Sequence, residues 1–223
     1  LAYIIGMLVQ LFISGMNSAL TPWMYSKIKK GDIRSMRKVL QLLSIVVVGI
    51  AVALMLISPE LVLIFGSPKY REAVYVIPPV AASVFFIFIY NILSMPQFYY
   101  EKTQFLMAAS MAAAGANVVL NFIFIRLFGY IAAGYTTLAC YMLYSVGHYI
   151  VSKRILVNEG IQENLMNPGF LLACSVFLIG ASIICNLIFP YRILRYAILL
   201  ASAGLVFWKK ELLLKTMADI RKK

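Results

Sequence analysis

Acidic residues are scarce in this chain: eight Asp and Glu stand against twenty Lys and Arg among 223 residues. None of the eight (Asp32, Glu60, Glu72, Glu101, Glu159, Glu163, Glu211 and Asp219) falls inside a long apolar run. A carboxylate within such a run is the usual mark of a proton relay in a membrane, so no coupling site of that kind is expected in this stretch. Histidine occurs once, at His148, too few for the usual zinc ligand sets. No Ser-His-Asp or Cys-His arrangement is present, so neither an enzyme nor a bound cofactor is expected. Cys140, Cys174 and Cys185 have no CxxC or zinc-like spacing and read as small apolar packing residues.

Charge of either sign is short as well. Charged residues make up 13% of the chain and hydrophobic ones 63%, whereas a soluble domain is about 25% charged and about half apolar. So few charges cannot cover a surface in water, and lipid is the expected solvent. Runs free of Asp, Glu, Lys and Arg extend over Leu1–Ser26, Val39–Ser58, Ala73–Tyr100, Thr103–Ile125, Leu127–Ser152 and Asn164–Tyr191; these are spans A to F. Each is long enough to cross a bilayer once, at about 20 residues per crossing. Ile193–Trp208, span G, is shorter and carries Arg195. Backbone groups in lipid must be paired within helices or a closed barrel. Stretches such as Ile45–Leu54 do not alternate in polarity, which favours helices over a barrel. The expected fold is all-α, about seven transmembrane helices.

The loops orient the spans. Six bases lie in Lys27-Ile-Lys-Lys-Gly-Asp-Ile-Arg-Ser-Met-Arg-Lys38, one at Lys102, two at Lys153 and Arg154, and six in the tail from Lys209, fifteen in all. The other side holds five: Lys69, Arg71, Arg126, Arg192 and Arg195. The positive-inside rule therefore predicts a multi-pass protein with a cytoplasmic C-terminus. It also accounts for the net charge of +12 through attraction to anionic lipid, with no nucleic-acid surface required. The expected organisation is five core spans over 1–152, a cytoplasmic connection over 153–169, two peripheral spans over 170–208 and a basic cytoplasmic tail over 209–223. The chain opens on Leu1 inside an apolar run without a charged flank, which reads as a piece of a longer protein and not as a signal peptide.

Polar side chains enter the spans at helical spacing. Gln10, Ser14, Asn17 and Thr21 share a face of span A; Ser110, Ala114, Asn117 and Asn121 share one in span D; Thr137, Tyr141, Tyr144 and His148 share one in span E. Asn91 and Ser94 lie on one face of span C. Unpaired amides facing hydrocarbon cost several kcal/mol each, so these stripes are expected to meet other helices as packing glue or to line a wet cavity. Because four helices contribute, A, C, D and E are expected to form the working bundle, with B, F and G towards lipid. Pro78-Pro79 and Pro96 are expected to kink or break span C. Arg126 ends span D towards the outside, where it either snorkels to the interface or attracts a phosphate-bearing substrate.

The stretch Phe65-Gly-Ser-Pro-Lys-Tyr-Arg-Glu-Ala-Val-Tyr-Val-Ile-Pro-Pro79 resembles the external loop and following helix of polysaccharide flippases. Asn117-Val-Val-Leu-Asn-Phe-Ile-Phe-Ile-Arg-Leu-Phe-Gly-Tyr-Ile-Ala-Ala-Gly-Tyr-Thr-Thr137 is similar to their helix–turn–helix, with Ala132-Ala133-Gly134 in a slightly different order. These are O-antigen and capsule-type flippases of the multidrug/oligosaccharidyl-lipid/polysaccharide exporter superfamily. The resemblance implies one lobe of a two-lobed exporter of twelve to fourteen helices, with spans A to G as its C-terminal half and the N-terminal lobe as partner. It implies a polyprenyl-pyrophosphate-linked oligosaccharide as substrate and the bacterial cytoplasmic membrane as location. Asn17, Asn91, Asn117 and Asn121 are then expected to bind sugar hydroxyls and Arg126 the charged head. A cation-coupled multidrug or metabolite antiporter of the same superfamily is the alternative, and would need acidic residues in the other lobe. A seven-helix receptor fits the span count but lacks recognisable receptor signatures.

Overall fold

The computed structural model describes residues 2–66 and 68–208. Among the described residues are eight α-helices and one 3-10 helix: α1 Ala2–Lys29, α2 Ile33–Leu56, α3 Ser58–Phe65, the 3-10 helix Pro68–Tyr75, α4 Ile77–Tyr99, α5 Gln104–Phe128, α6 Ala132–Asn158, α7 Pro168–Ile188 and α8 Arg192–Trp208. The seven long ones correspond in order to spans A to G. Four of them, α2, α4, α5 and α7, are long and apolar enough to cross a membrane. The basic tail from 209 onwards lies outside the described residues.

The helix α4 is the hub. It buries nearly every side chain from Ile77 to Ile89 and from Ile92 to Gln97, as expected of a helix apolar all round. Its one hydroxyl in the first of these stretches, Ser83, donates to the Val80 carbonyl at 2.6 Å. The helices α1, α2, α6 and α7 pack against α4, while α5 lies against α6, and α8 against α2 and α7. Span B was expected to face lipid, yet α2 turns a stripe of Leu40, Ser44, Val47, Ala51, Leu54 and Met55 into the interior. That spacing of four, three, four and three is a helix–helix seam. Its near-lack of polar residues, Ser44 apart, was misleading, because van der Waals fit packs helices in lipid without them. Span D departs in the opposite direction: α5 has no buried residue. It exposes Met107, Met111, Val118, Phe122, Leu127 and Phe128. Together with exposed Leu172, Val176, Phe177, Ile184 and Leu187 on α7, this exterior is far more apolar than water tolerates. The chain is a membrane protein.

The connections gather at two ends. At the end holding most of the bases, Tyr25 and Tyr99 meet edge to face at 5.4 Å. There Arg37 also bonds Glu163 at 3.2 Å and the Asn164 carbonyl at 2.7 Å. At the opposite end Tyr130 donates to Glu72 at 2.6 Å, and Tyr75 packs on Phe189. Three helices terminate at the basic end with one motif. The amide of Lys102 donates to the Gln97 carbonyl at 2.8 Å and that of Glu101 to Phe98 at 3.2 Å, and equivalent pairs close α1 and α6. This is the Schellman motif, which places one residue in the left-handed region. At α4 that residue is Glu101, with φ 57°, where a side chain costs about 1–2 kcal/mol. Glu101→Gly is therefore expected to raise stability by about 0.5–1 kcal/mol once the extra freedom of the unfolded glycine is subtracted, read as a higher midpoint of thermal unfolding in detergent.

The prolines start α4 and do not break it. Pro78 and Pro79 stand in its first turn, where a missing amide hydrogen costs nothing. Pro96 lies in its last turn, and the helix is continuous between them. The irregular backbone expected inside span C is displaced to the 3-10 helix ahead of it. Pro79 instead forms a contact: a Cβ added at Gly134 of α6 would lie 2.8 Å from Pro79 Cγ and 3.1 Å from the Val76 carbonyl oxygen. The two sequence stretches that carry the family resemblance thus touch at this point. Neither a proline ring nor a backbone carbonyl yields easily. Gly134→Ala is expected to lower stability by about 1–3 kcal/mol through overpacking, against its better helix propensity, and a thermal melt compared with Gly180→Ala, an open position, measures it.

Candidate functional site

Where α1 crosses α4, the polar stripe of α1 faces that of α4 across a groove of about 240 Å³ lined by Gln10, Ser14, Asn17, Ser18, Thr21, Tyr90 and Asn91, with Ile13 and Ile87. Two hydroxyls of this wall are turned back into their own helix: Ser18 donates to the Ser14 carbonyl at 3.0 Å and Thr21 to that of Asn17 at 2.8 Å. Such back-bonding is the ordinary behaviour of Ser and Thr in helices. The amides differ. Asn91 donates through Nδ2 to the Ile87 carbonyl at 2.7 Å. Asn17 is buried, and its Oδ1 has no hydrogen-bond partner. A buried carbonyl oxygen of this kind costs about 1–3 kcal/mol unless something donates to it.

The groove has an aromatic flank. Tyr90 lies parallel to Tyr141 of α6, with centroids 6.2 Å apart and planes at 3°, and it contacts Tyr144 at 4.7 Å. Amides that both donate and accept, beside flat aromatic faces, suit a neutral polar molecule with apolar faces.

The five sequence-predicted residues do not share one site. Asn17 and Asn91 line this groove together. Asn117 and Asn121 lie on the seam between α5 and α6, where Asn121 Nδ2 donates to Asn117 Oδ1 at 2.9 Å and Thr136 donates to Asn121 Oδ1 at 2.6 Å. On the same seam the hydroxyls of Ser110 and Tyr144 are 2.7 Å apart. Arg126 is exposed near the end of α5, its guanidinium 3.9 Å above the Phe122 ring.

Two polar constellations were not foreseen. Between α4 and α6, Gln97 Nε2 lies 2.8 Å from His148 Nδ1, both side chains fully buried. Gln97 Oε1, His148 Nε2 and the neighbouring Ser152 hydroxyl have no partner. His148 is therefore an interior residue; the signal was Gln97 standing late in an apolar run, beside a histidine that shares the polar stripe of α6. At the opposite end Arg195 of α8, 3% exposed, grips Glu60 of α3 through two bonds of 2.8 and 2.9 Å. It also donates to the Leu56 carbonyl at 2.7 Å, and Tyr196 donates to Glu60 at 2.9 Å. Burial pushes the Glu60 carboxyl up, but the hydrogen bonds from Arg195 and Tyr196 outweigh it and hold the group below its ordinary value. The signal was Arg195 itself, a base placed inside span G. Compared with models of known protein families, with curated proteins and with solved structures, this chain matches none.

Proposed function

We propose that this chain is one lobe of an exporter that flips polyprenyl-pyrophosphate-linked oligosaccharide units across the bacterial cytoplasmic membrane by alternating access. In this reading the seven long helices all cross, the basic end is cytoplasmic, and a second lobe of similar size faces the groove. The carrying observation is the amide-lined groove between α1 and α4, with the unpartnered Oδ1 of buried Asn17 beside it. Sugar hydroxyls both donate and accept, so each amide meets two of them, and the C–H face of a pyranose ring packs on Tyr90. Asn17 and Asn91 are the sugar-binding residues of this lobe. Asn121 holds α5 to α6 through Thr136, and Asn117 braces its amide. Arg126, which has no ion pair among the described residues, is the cation offered to the pyrophosphate.

Cysteine replacements at Asn17 and Asn91, in the complete gene, are expected to react with a membrane-impermeant maleimide, and an oligosaccharide-linked polyprenyl carrier is expected to slow the reaction. That gene is also expected to restore surface polysaccharide to a flippase-null strain. Labelling that fails at both positions in every condition removes the groove from the transport path.

A further inference from the structure

On the side of α4 facing α6 and α7 runs a second groove, of about 280 Å³, walled by Phe85, Phe86, Ile89, Met142, Val146 and Leu172. Its two serines are turned away: Ser145 donates to the Phe86 and Tyr141 carbonyls, each at 2.9 Å, and Ser175 to that of Leu171 at 2.7 Å. What remains is apolar and smaller than the cavities of about 300–1,000 Å³ that hold drug-sized molecules. Tyr149 closes the groove towards the basic end and also borders the next hollow, which Lys153 and Arg154 line. One helical turn, about 6 Å, separates Tyr149 from Lys153.

The charges at this end are unequal in their surroundings. Lys27 pairs with Asp32 and Arg37 with Glu163, while Lys153 and Arg154 are exposed and have no ion pair or side-chain hydrogen bond among the described residues. An apolar channel that ends on two unneutralised cations matches an amphiphile with an anionic head.

We propose that this groove and basic pair hold one anionic glycerophospholipid, an acyl chain against Phe85, Ile89 and Leu172 and the phosphodiester on Lys153 and Arg154. The inference rests on membrane embedding alone and not on transport. The amide groove lies between α1 and α4, so a head group seated on α6 is outside it, and the occupant is a resident lipid and not the transported substrate.

Native mass spectrometry of the full chain in detergent, titrated with phosphatidylglycerol and with phosphatidylcholine of the same acyl chains, tests this. Phosphatidylglycerol is expected to be retained preferentially. Lys153→Gln/Arg154→Gln is expected to weaken its binding about thirtyfold, at about 1 kcal/mol for each base at a membrane surface. Val146→Trp, at an exposed wall position, is expected to weaken both lipids by filling the channel. Lys29→Gln/Lys30→Gln, which removes the same charge at exposed positions that line neither hollow, is expected to leave the preference intact, and glycerol phosphate alone is expected not to compete. Equal retention of the two lipids by the unaltered chain overturns the proposal, as does a preference that survives Lys153→Gln/Arg154→Gln. Displacement of the bound lipid by a polyprenyl phosphate that phosphatidylglycerol cannot reverse overturns the assignment of the occupant.

Discussion

A Glu60→Leu variant loses about 3–5 kcal/mol of stability, because it strands a buried guanidinium without its counter-charge. The two partners are not equivalent. Arg195 is 3% exposed and cannot reach solvent, whereas Glu60 keeps about a fifth of its side chain accessible. Arg195→Leu therefore costs less, since the freed carboxylate hydrates. The double variant Glu60→Leu/Arg195→Met, which removes both charges and keeps volume, recovers most of the loss. Denaturant titration in detergent measures all three; a Glu60→Leu protein as stable as the double variant would show that the pair does not hold α8 to α3. Acid provides an independent reading. The folded Glu60 carboxyl lies below its ordinary value of 4.5, so the unfolded state binds the proton more readily. Its contribution is complete above the ordinary value and is lost as pH falls through the folded value. The unaltered chain is expected to weaken on acidification below about 4.5 by a component that Glu60→Leu lacks.

Under the proposed function, removal of both groove amides, Asn17→Leu/Asn91→Leu, is expected to lower export of the oligosaccharide about tenfold or more, from hydrogen bonds to neutral groups at about 0.5–1.5 kcal/mol each. Stability is expected to stay within about 1 kcal/mol, because the buried Oδ1 of Asn17 has no partner within the protein to lose, while Asn91 gives up one bond to the Ile87 carbonyl, which keeps its place in the helix. Asn121→Leu behaves in the opposite way. It takes the acceptor from Thr136, which retains the Ala133 carbonyl at 3.1 Å, so it costs about 1 kcal/mol of stability and leaves export near normal once expression is matched. Paired export assays and thermal melts separate the two groups. Normal export by the Asn17/Asn91 variant would make that groove a packing seam, and an export defect in Asn121→Leu without a change in melting would move Asn121 into the substrate path.

Much of this division was invisible in helical spacing. Asn117 and Asn121 have the same 0 and 4 relation as Ser14 and Ser18, and nothing in the residues says which stripe meets a neighbour and which meets a hollow. The partner decides: Thr136 stands opposite Asn121 only because the turn at Gly129 folds α6 back along α5. Apolar stripes misled in the same way. The seam of α2 has no polar residue to announce a contact apart from Ser44, whose hydroxyl is spent on the Leu40 carbonyl at 2.7 Å. Pro78 and Pro79 read as a break because proline disrupts a helix interior, but the position of the first turn depends on where the preceding 3-10 segment stops.

From the residues alone came the solvent and the helices: apolar runs of about 20 residues leave the backbone no way to satisfy its hydrogen bonds in lipid except within each segment. The placing of most charges at the ends of the apolar runs followed too, since charge is costly in hydrocarbon. Tertiary structure decided the centre of the bundle at α4, the burial of Arg195 on Glu60, the pairing of Gln97 with His148, and the separation of the Asn17–Asn91 groove from the Asn117–Asn121 seam. Those outcomes depend on which helix lies beside which, and for helices in a solvent as apolar as themselves that choice rests on shape and a few paired polar atoms, quantities that one helix considered alone does not contain.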